Sequence, residues 1–250
     1  MKSTPMIGFI SPPAWFDPAP SEFPRVVVEA VETQQAPMPL PDFDYRLESI
    51  ANVQPILNQC AHSLKSSGCE IAAQVGSPFA WACAASEQIA RARCSSISAA
   101  AGIPAVMTSL AIVDGLRALN ANRVAVTCTY YDAEWREGFA AFLRMCGFSL
   151  DHGSTLLDQG LIKPEAVWEI GWAMTDELVC QSIRAVAEAS PDAEAIVVTG
   201  AGARTLRILV EMEADTKRPI IAADTALYWA AARQLGLTLQ PVMGALANAW

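Results

Sequence analysis

Histidine is almost missing from this sequence, with only His62 and His152 among 250 residues, and the seven cysteines are odd in number, scattered and without a C-x-x-C pair. Metal sites draw on clustered Cys and His, and disulfide frameworks on an even, closely spaced Cys set, so neither is expected. Each cysteine taken alone reads as a small buried hydrophobe. His62 lies in a polar, helix-like run and His152 beside Asp151 and Gly153 in an expected turn, so both read as solvated. Clustered basic residues are lacking too: 17 Lys and Arg stand against 26 Asp and Glu, a net charge of -9. Nucleic acid and anionic lipid attract the opposite sign, so no nucleic-acid or membrane partner is expected. A small molecule or another subunit remains. No apolar stretch approaches the roughly 20 residues that cross a bilayer. Pro12 and Pro13 interrupt the opening segment before a signal-type apolar core can form, and the expectation is a cytoplasmic protein.

What is present is apolar material in short, repeated doses. Hydrophobic residues make up 52% of the chain, ample for a core that buries most of the apolar surface. Runs rich in Val, Ile and Ala alternate with longer helical patterns, which predicts βαβ units around parallel sheets buried on both faces. The expected strands are Met6 to Ile10, Arg25 to Ala30, Glu70 to Val75, Ala105 to Met107, Arg123 to Cys128, Ala195 to Thr199 and Pro219 to Ala222. Helical patterns cover Tyr45 to Ser66 with a break at Pro55, then Phe79 to Arg93, Leu110 to Leu119, Ala133 to Cys146, Met174 to Ala189, Ala203 to Ala214 and Ala226 to Leu235.

The sequence also repeats itself. PAVMTSLA at Pro104 to Ala111 matches PIIAADTA at Pro219 to Ala226 in residue type, and each is expected to open a helix. Upstream, one apolar strand ends in Gly76-Ser77-Pro78 and another in Thr199-Gly200-Ala201-Gly202. A third pair is Ile7 to Ile10 running into Ser11-Pro12-Pro13, against Val124 to Thr127 running into Cys128-Thr129-Tyr130. A duplicated α/β chain follows, with a first lobe at 1–115 plus 217–250, a second at 116–216, and an active-site cleft between them. In open parallel sheets, ligands bind beyond the carboxyl ends of the strands, where turn amides and helix N-termini converge.

That rule selects the candidate residues. Backbone N–H groups around Gly76, with the Ser77 hydroxyl, suit a carboxylate; the competing role for Ser77 is an ordinary helix cap, and the repeat favours the ligand role. Pro78 has no N–H to offer. Thr199, Gly200, Ala201 and Gly202 supply small residues and amides for close approach by an anion, without matching the dinucleotide fingerprint. Arg204, placed just inside the next expected helix, is either a solvated surface residue or a planar fork for a second carboxylate. The Tyr130 hydroxyl either packs or donates to a developing enolate oxygen. Asp224, where the other half has Ser109, either caps its helix or serves as acid or base.

These segments, Ile7-Gly8 to Pro12-Pro13, Gly76-Ser77, DGLRAL at Asp114 to Leu119, Arg123 to Tyr130 and Gly200 to Gly202, resemble landmarks of the aspartate/glutamate racemase superfamily, in its arylmalonate decarboxylase and maleate isomerase branch. The resemblance spans nearly the whole chain and implies two flavodoxin-like lobes related by pseudo-twofold symmetry. In that superfamily one strand-end position per lobe commonly carries a proton-moving cysteine; the matching positions here are Gly76 and Gly200. Arylmalonate decarboxylases also have glycine at the first and a cysteine donor at the second, so this chain departs from them at Gly200. Pro78 stands where the family has a Ser or similar donor, which leaves the implied dioxyanion hole of Ser77 and Tyr130 incomplete. Pro12, Pro13, Val75 and Phe79 are apolar neighbours that would desolvate a departing carboxylate.

The implied function is a cofactor-independent decarboxylase-like lyase on a malonate-like or other small carboxylate, passing through an enolate-type intermediate. Its proton donor is not a cysteine at position 200; the candidates are Asp224, then Cys128 or a bound water. The alternatives are an isomerase or hydrolase on a cis-dicarboxylate or cyclic amide, with Arg204 on its far end, and a non-catalytic carboxylate-binding homologue. No cofactor or metal is implied, and self-association into a homo-oligomer is expected.

Overall fold

The computed structural model describes residues 4–249, apart from the side chains of Trp168, Trp172 and Ala173. Residues 1–3 and 250, at the outer ends of the expected first lobe, lie outside those described. The chain divides into two compact units, Met1–Ala111 with Leu227–Gln240, and Ile112–Ala226 with Pro241–Trp250.

The first unit holds β1 (Met6–Ser11), α1 (Ala19–Glu22), β2 (Glu32–Pro37), α2 (Leu47–Ala51), α3 (Gln54–Ser66), β3 (Ile71–Gln74), α4 (Pro78–Trp81), α5 (Glu87–Ala101) and β4 (Ala105–Met107). The second holds β5 (Arg123–Thr127), α7 (Ala133–Met145), β6 (Ser149–Ser154), α8 (Val167–Ala173), α9 (Asp176–Ala189), β7 (Ala195–Val198), α10 (Leu209–Thr216) and β8 (Ile220–Ala222). Two of the boundaries between units fall inside α6 (Thr108–Ala118) and α11 (Ala223–Leu235), and the third lies between Gln240 and Pro241.

Each unit carries one four-stranded sheet, in the orders β2-β1-β3-β4 and β6-β5-β7-β8, and every strand pairing is parallel. The same order appears twice, as a duplicated chain requires. The central strands β3 and β7 are buried along their whole length, which follows from helices covering both faces of a parallel sheet. In the first unit Phe9, Phe23 and Tyr228 meet edge to face, with centroids 5.8 to 6.3 Å apart. Full burial of rings this size contributes about 2 kcal/mol each by area. In the second unit Val179, Ile183, Val186, Ile196, Leu209 and Met212 form the corresponding core.

Several local expectations are corrected. Arg25 to Ala30 is not a strand: Phe23–Arg25 form a 3-10 turn, and Val27 makes only an isolated antiparallel bridge to Leu239. The strand lies later, in the polar segment ETQQAP of β2. A second strand that the apolar pattern does not reveal is β6, SLDHGS, which places His152 in a strand and not in a turn. The expected helix from Phe79 to Arg93 is two helices, the longer one starting at Glu87, where the Ser86 hydroxyl accepts from Ile89 N. The helix expected from Ala203 begins only at Leu209, so Arg204 sits in the preceding turn. The break expected at Pro55 is present, between α2 and α3, and Pro55 stands in the first turn of α3, where a proline forfeits no needed N–H.

Candidate active site

The carboxyl end of β3 turns at Gly76, whose φ of +104° suits a residue without a side chain. A Cβ built there would lie 2.8 Å from the Phe79 ring and 3.3 Å from Pro12. Four successive carbonyls of this turn are satisfied from behind. Thr108 Oγ1 donates to Gln74 O at 3.0 Å, the Gln74 side-chain amide donates to Val75 O and, at 3.1 Å, to Gly76 O, and Ser109 Oγ donates to Ser77 O at 2.6 Å. Val75 N donates to Ile10 O and Gly76 N to Thr108 Oγ1. The Ser77 amide has no partner among the described residues.

The Ser77 side chain takes a different part from either expected role. It makes no cap bond to α4. Ser109 has one hydroxyl proton, committed to Ser77 O, so the 2.8 Å contact between the two hydroxyls uses the Ser77 proton, while Trp81 Nε1 donates to Ser77 Oγ at 3.1 Å. With its oxygen buried and its proton spent, Ser77 offers a ligand its backbone N–H first. Pro78 occupies the first turn of α4, and Pro13 contributes its carbonyl, which accepts from the Tyr45 hydroxyl at 2.5 Å. Pro13, Gly76, Ser77 and Pro78 thus all follow the carboxyl ends of the adjacent parallel strands β1 and β3.

The second unit repeats the turn with different groups. Gly200 has a φ of +117°, and a Cβ there would lie 2.2 Å from Thr129 Oγ1 and 2.8 Å from the Tyr130 ring. The Thr129 hydroxyl donates to Thr199 O at 2.7 Å, and the Thr199 hydroxyl is 3.1 Å from that of Tyr131. Ala201 N donates to the Tyr130 hydroxyl at 3.2 Å, so that oxygen already rests on one of the turn amides. Gly202 packs directly on the backbone of Gly171 in α8: a Cβ would fall 2.1 Å from Gly171 O. Tyr130, Thr199, Gly200, Ala201 and Gly202 therefore form one compact group, with Arg204 half-buried in the turn beyond.

Asp224, in the first turn of α11, acts as an acceptor for the segment that follows this group. Its carboxyl oxygens receive Thr205 N at 2.7 Å, Thr205 Oγ1 at 2.6 Å, Leu206 N at 3.3 Å and its neighbour Thr225 N at 2.8 Å. These bonds hold residues 205 and 206 out of the helix and explain why α10 starts late. Cys128, at the end of β5, is 1% exposed, and burial pushes its thiol far above the ordinary range, with Arg136 opposing weakly. Residue-by-residue reading missed Gln74, Thr108, Thr129 and Gly171. The one available signal was a glutamine, Gln74, in an apolar strand whose twin has Val198.

Comparison with known proteins places this geometry among relatives. The family described as arylmalonate decarboxylase matches residues 7–246. An arylmalonate decarboxylase of Bordetella bronchiseptica is 34% identical over 137 residues, 55% of this chain and 54% of that protein, so the chain spans about half the length of the curated relative it matches. Among solved structures, the fold is shared with an arylmalonate decarboxylase (TM-score 0.78, 22% identity, covering 98% of this chain and 100% of the other). It is also shared with the maleate isomerase Iso of Pseudomonas putida S16 (TM-score 0.84, 20% identity, covering 99% and 100%).

Proposed function

The chain belongs to the arylmalonate decarboxylase family, and from that footing we propose that it is a cofactor-independent carboxy-lyase acting on a malonate-like acid. The observation that carries the reading is the Gly76 turn, in which the carbonyl oxygens are withdrawn and the Ser77 N–H is left to meet an anion. Backbone N–H groups fixed in advance stabilise charge that develops on an oxygen, and removing one such donor typically costs about 100-fold or more in rate. In the proposed reaction the bond to one carboxylate breaks, carbon dioxide leaves, and the electron pair passes into the remaining carboxylate as an enediolate. The Ser77 amide receives one oxygen of that enediolate. Pro12, Val75 and Phe79 supply apolar surroundings that favour loss of the charged group.

The proton that finishes the product comes, in this reading, from water. Asp224 is engaged as an acceptor by Thr205, Leu206 and Thr225, and Cys128 is shut away from solvent. The carbanion takes a proton from the water, and the hydroxide left behind combines with the released carbon dioxide as bicarbonate, which balances the step. Proton NMR in D2O with phenylmalonate and methylphenylmalonate tests it: the monoacid should appear carrying one deuterium, and Asp224→Asn should retain turnover. Absence of any monoacid from a broad malonate panel would sink the proposal.

A binding role without turnover is the second reading, supported by the same closed networks: the Ser77 proton is spent on Ser109 and the Tyr130 hydroxyl already holds Ala201 N. It predicts thermal stabilisation by small carboxylates with no product. An isomerase or hydrolase acting on a cis-dicarboxylate or cyclic amide would instead convert maleate or a hydantoin in the same NMR panel and depend on Arg204.

A further inference from the structure

Gln74 is fully buried at the last position of β3, where the equivalent residue of β7 is Val198. An amide in such a place is costly to desolvate unless its hydrogen-bonding groups are used. Its Oε1 has no partner among the described residues, so the side chain is retained at a cost in one half of its bonding capacity. The other half is fully committed: Nε2 donates to Val75 O and to Gly76 O. The twin turn secures the carbonyl equivalent to Val75 O by other means, with the Thr129 hydroxyl on Thr199 O, and there the strand position is free to be apolar.

We propose that Gln74 is a positioning residue for the oxygen-binding turn, setting the direction of the Ser77 N–H by holding the Gly76 carbonyl behind it. The reasoning is peptide geometry. In a trans peptide the C=O of one residue and the N–H of the next point in opposite directions. Drawing Gly76 O toward the Gln74 amide therefore turns the Ser77 N–H the other way, and drawing Val75 O inward turns Gly76 N toward Thr108 Oγ1, where it is found at 3.2 Å. Glycine at 76, with its positive φ, is the one neighbour that lets both planes rotate without a side chain striking Phe79 or Pro12. Gln74 touches no substrate; it acts through the backbone. The catalytic meaning of this amide rests on the lyase reading above, whereas its direction does not.

The test is Gln74→Met, which keeps the length of the side chain and removes both donors. Its crystal structure should show the Gly76–Ser77 peptide rotated, and its kcat on phenylmalonate should fall about 100-fold, the loss typical of one oxyanion donor, with KM changed less than about threefold. A general loss of packing would lower the melting temperature without that split between kcat and KM. A peptide that stays in place overturns the proposal, whatever happens to the rate. A rotated peptide with unchanged kcat supports the role of Gln74 and overturns the use of Ser77 in catalysis. If the wild-type protein turns over no malonate, the lyase reading fails and the crystal structure alone decides the proposal. Should the methionine variant not fold, Gln74→Val, which installs the residue of the twin turn, is judged on the same two readouts.

Discussion

The turns after β3 and β7 begin from the same backbone, a glycine at positive φ two residues beyond a buried strand, yet they are stabilised by different sets of side chains. Around Gly76 the supporting side chains are donors: Gln74, Thr108 and Ser109 reach the carbonyls. Around Gly200 the Thr129 hydroxyl likewise donates to Thr199 O, but the Tyr130 hydroxyl accepts from Ala201 N, and Asp224, which stands where the first turn has Ser109, collects the N–H groups of Thr205, Leu206 and Thr225 beyond the turn. Thr108 also accepts from Gly76 N, so of the amides at 75 to 77 the one left open among the described residues is that of Ser77. The first turn keeps the Ser77 amide open, whereas in the second the Ala201 amide is engaged by the Tyr130 hydroxyl. Duplication preserved the chain path and let the two chemistries diverge.

The largest expected effect sharpens this contrast at the glycines themselves. Gly200→Ala should cost on the order of 4 kcal/mol, because its Cβ would fall 2.2 Å from Thr129 Oγ1 at an unfavourable φ. That corresponds to a melting temperature lower by roughly 12 °C. Gly76→Ala should cost about half as much, since the Phe79 ring it meets at 2.8 Å can swing aside. Equal losses in the two variants would show that the turns are equally closed.

Next in size, Asp224→Asn should destabilise the protein by about 2 kcal/mol in urea unfolding, because an NH2 group would then confront donors that now have an acceptor. Ser109→Ala should cost less, about 1.5 kcal/mol, because it loses the bond given to Ser77 O and the one taken from the Ser77 hydroxyl but sets no donor against a donor. The reverse order would contradict the donor and acceptor assignment. Tyr130→Phe is expected to be milder still in stability, under about 1 kcal/mol, since Ala201 N loses one acceptor at 3.2 Å in a half-buried place.

A pH experiment probes a support present in the second unit. Glu213 accepts from Ile220 N and Ala245 N, both at 2.9 Å, and so ties the segment 241–248 to the start of β8. Burial lifts its carboxyl above the ordinary carboxylate value, outweighing those two N–H groups, which lower it. A raised folded-state value contributes stability that is fully present below the unfolded-chain value, about 4.3, and that is lost as pH rises through the folded one. The stability of wild type relative to Glu213→Gln should accordingly be greater near pH 4 than at pH 7, and growth of that difference with pH would refute the assignment. The smallest effect concerns thiols: iodoacetamide should label exposed Cys83 well before Cys128, which burial keeps protonated and covered.

How far these features were visible beforehand depends on burial. The six apolar strands, β1, β3, β4, β5, β7 and β8, could be read because a strand covered on both faces must be made of Val, Ile and Ala almost throughout. Whereas β4 and β8, at the opposite edges, are short and apolar, the two strands that escaped, ETQQAP and SLDHGS, each lie at one edge of a sheet with exposed residues at alternating positions. Such edges tolerate polar residues and even Pro37, so hydrophobic periodicity does not mark them. The run Val26-Val27-Val28 misled in the opposite sense: β-branched residues favour a strand, but the chain there meets only the short segment around Leu239.

By itself the sequence determined the α/β class, the duplication, the glycine turns at the two strand ends and the family, because these follow from periodicity and from residues whose conformational freedom is written in their type. Only the tertiary structure decided what the polar side chains around those turns do. Gln74, Ser77, Thr129 and Asp224 can each take several hydrogen-bonding roles, and the choice was made by partners 1 to 70 residues away in the chain. Hydrogen bonding is directional and short in range, so which proton goes to which oxygen depends on the position of groups that the chain brings together only after it has folded.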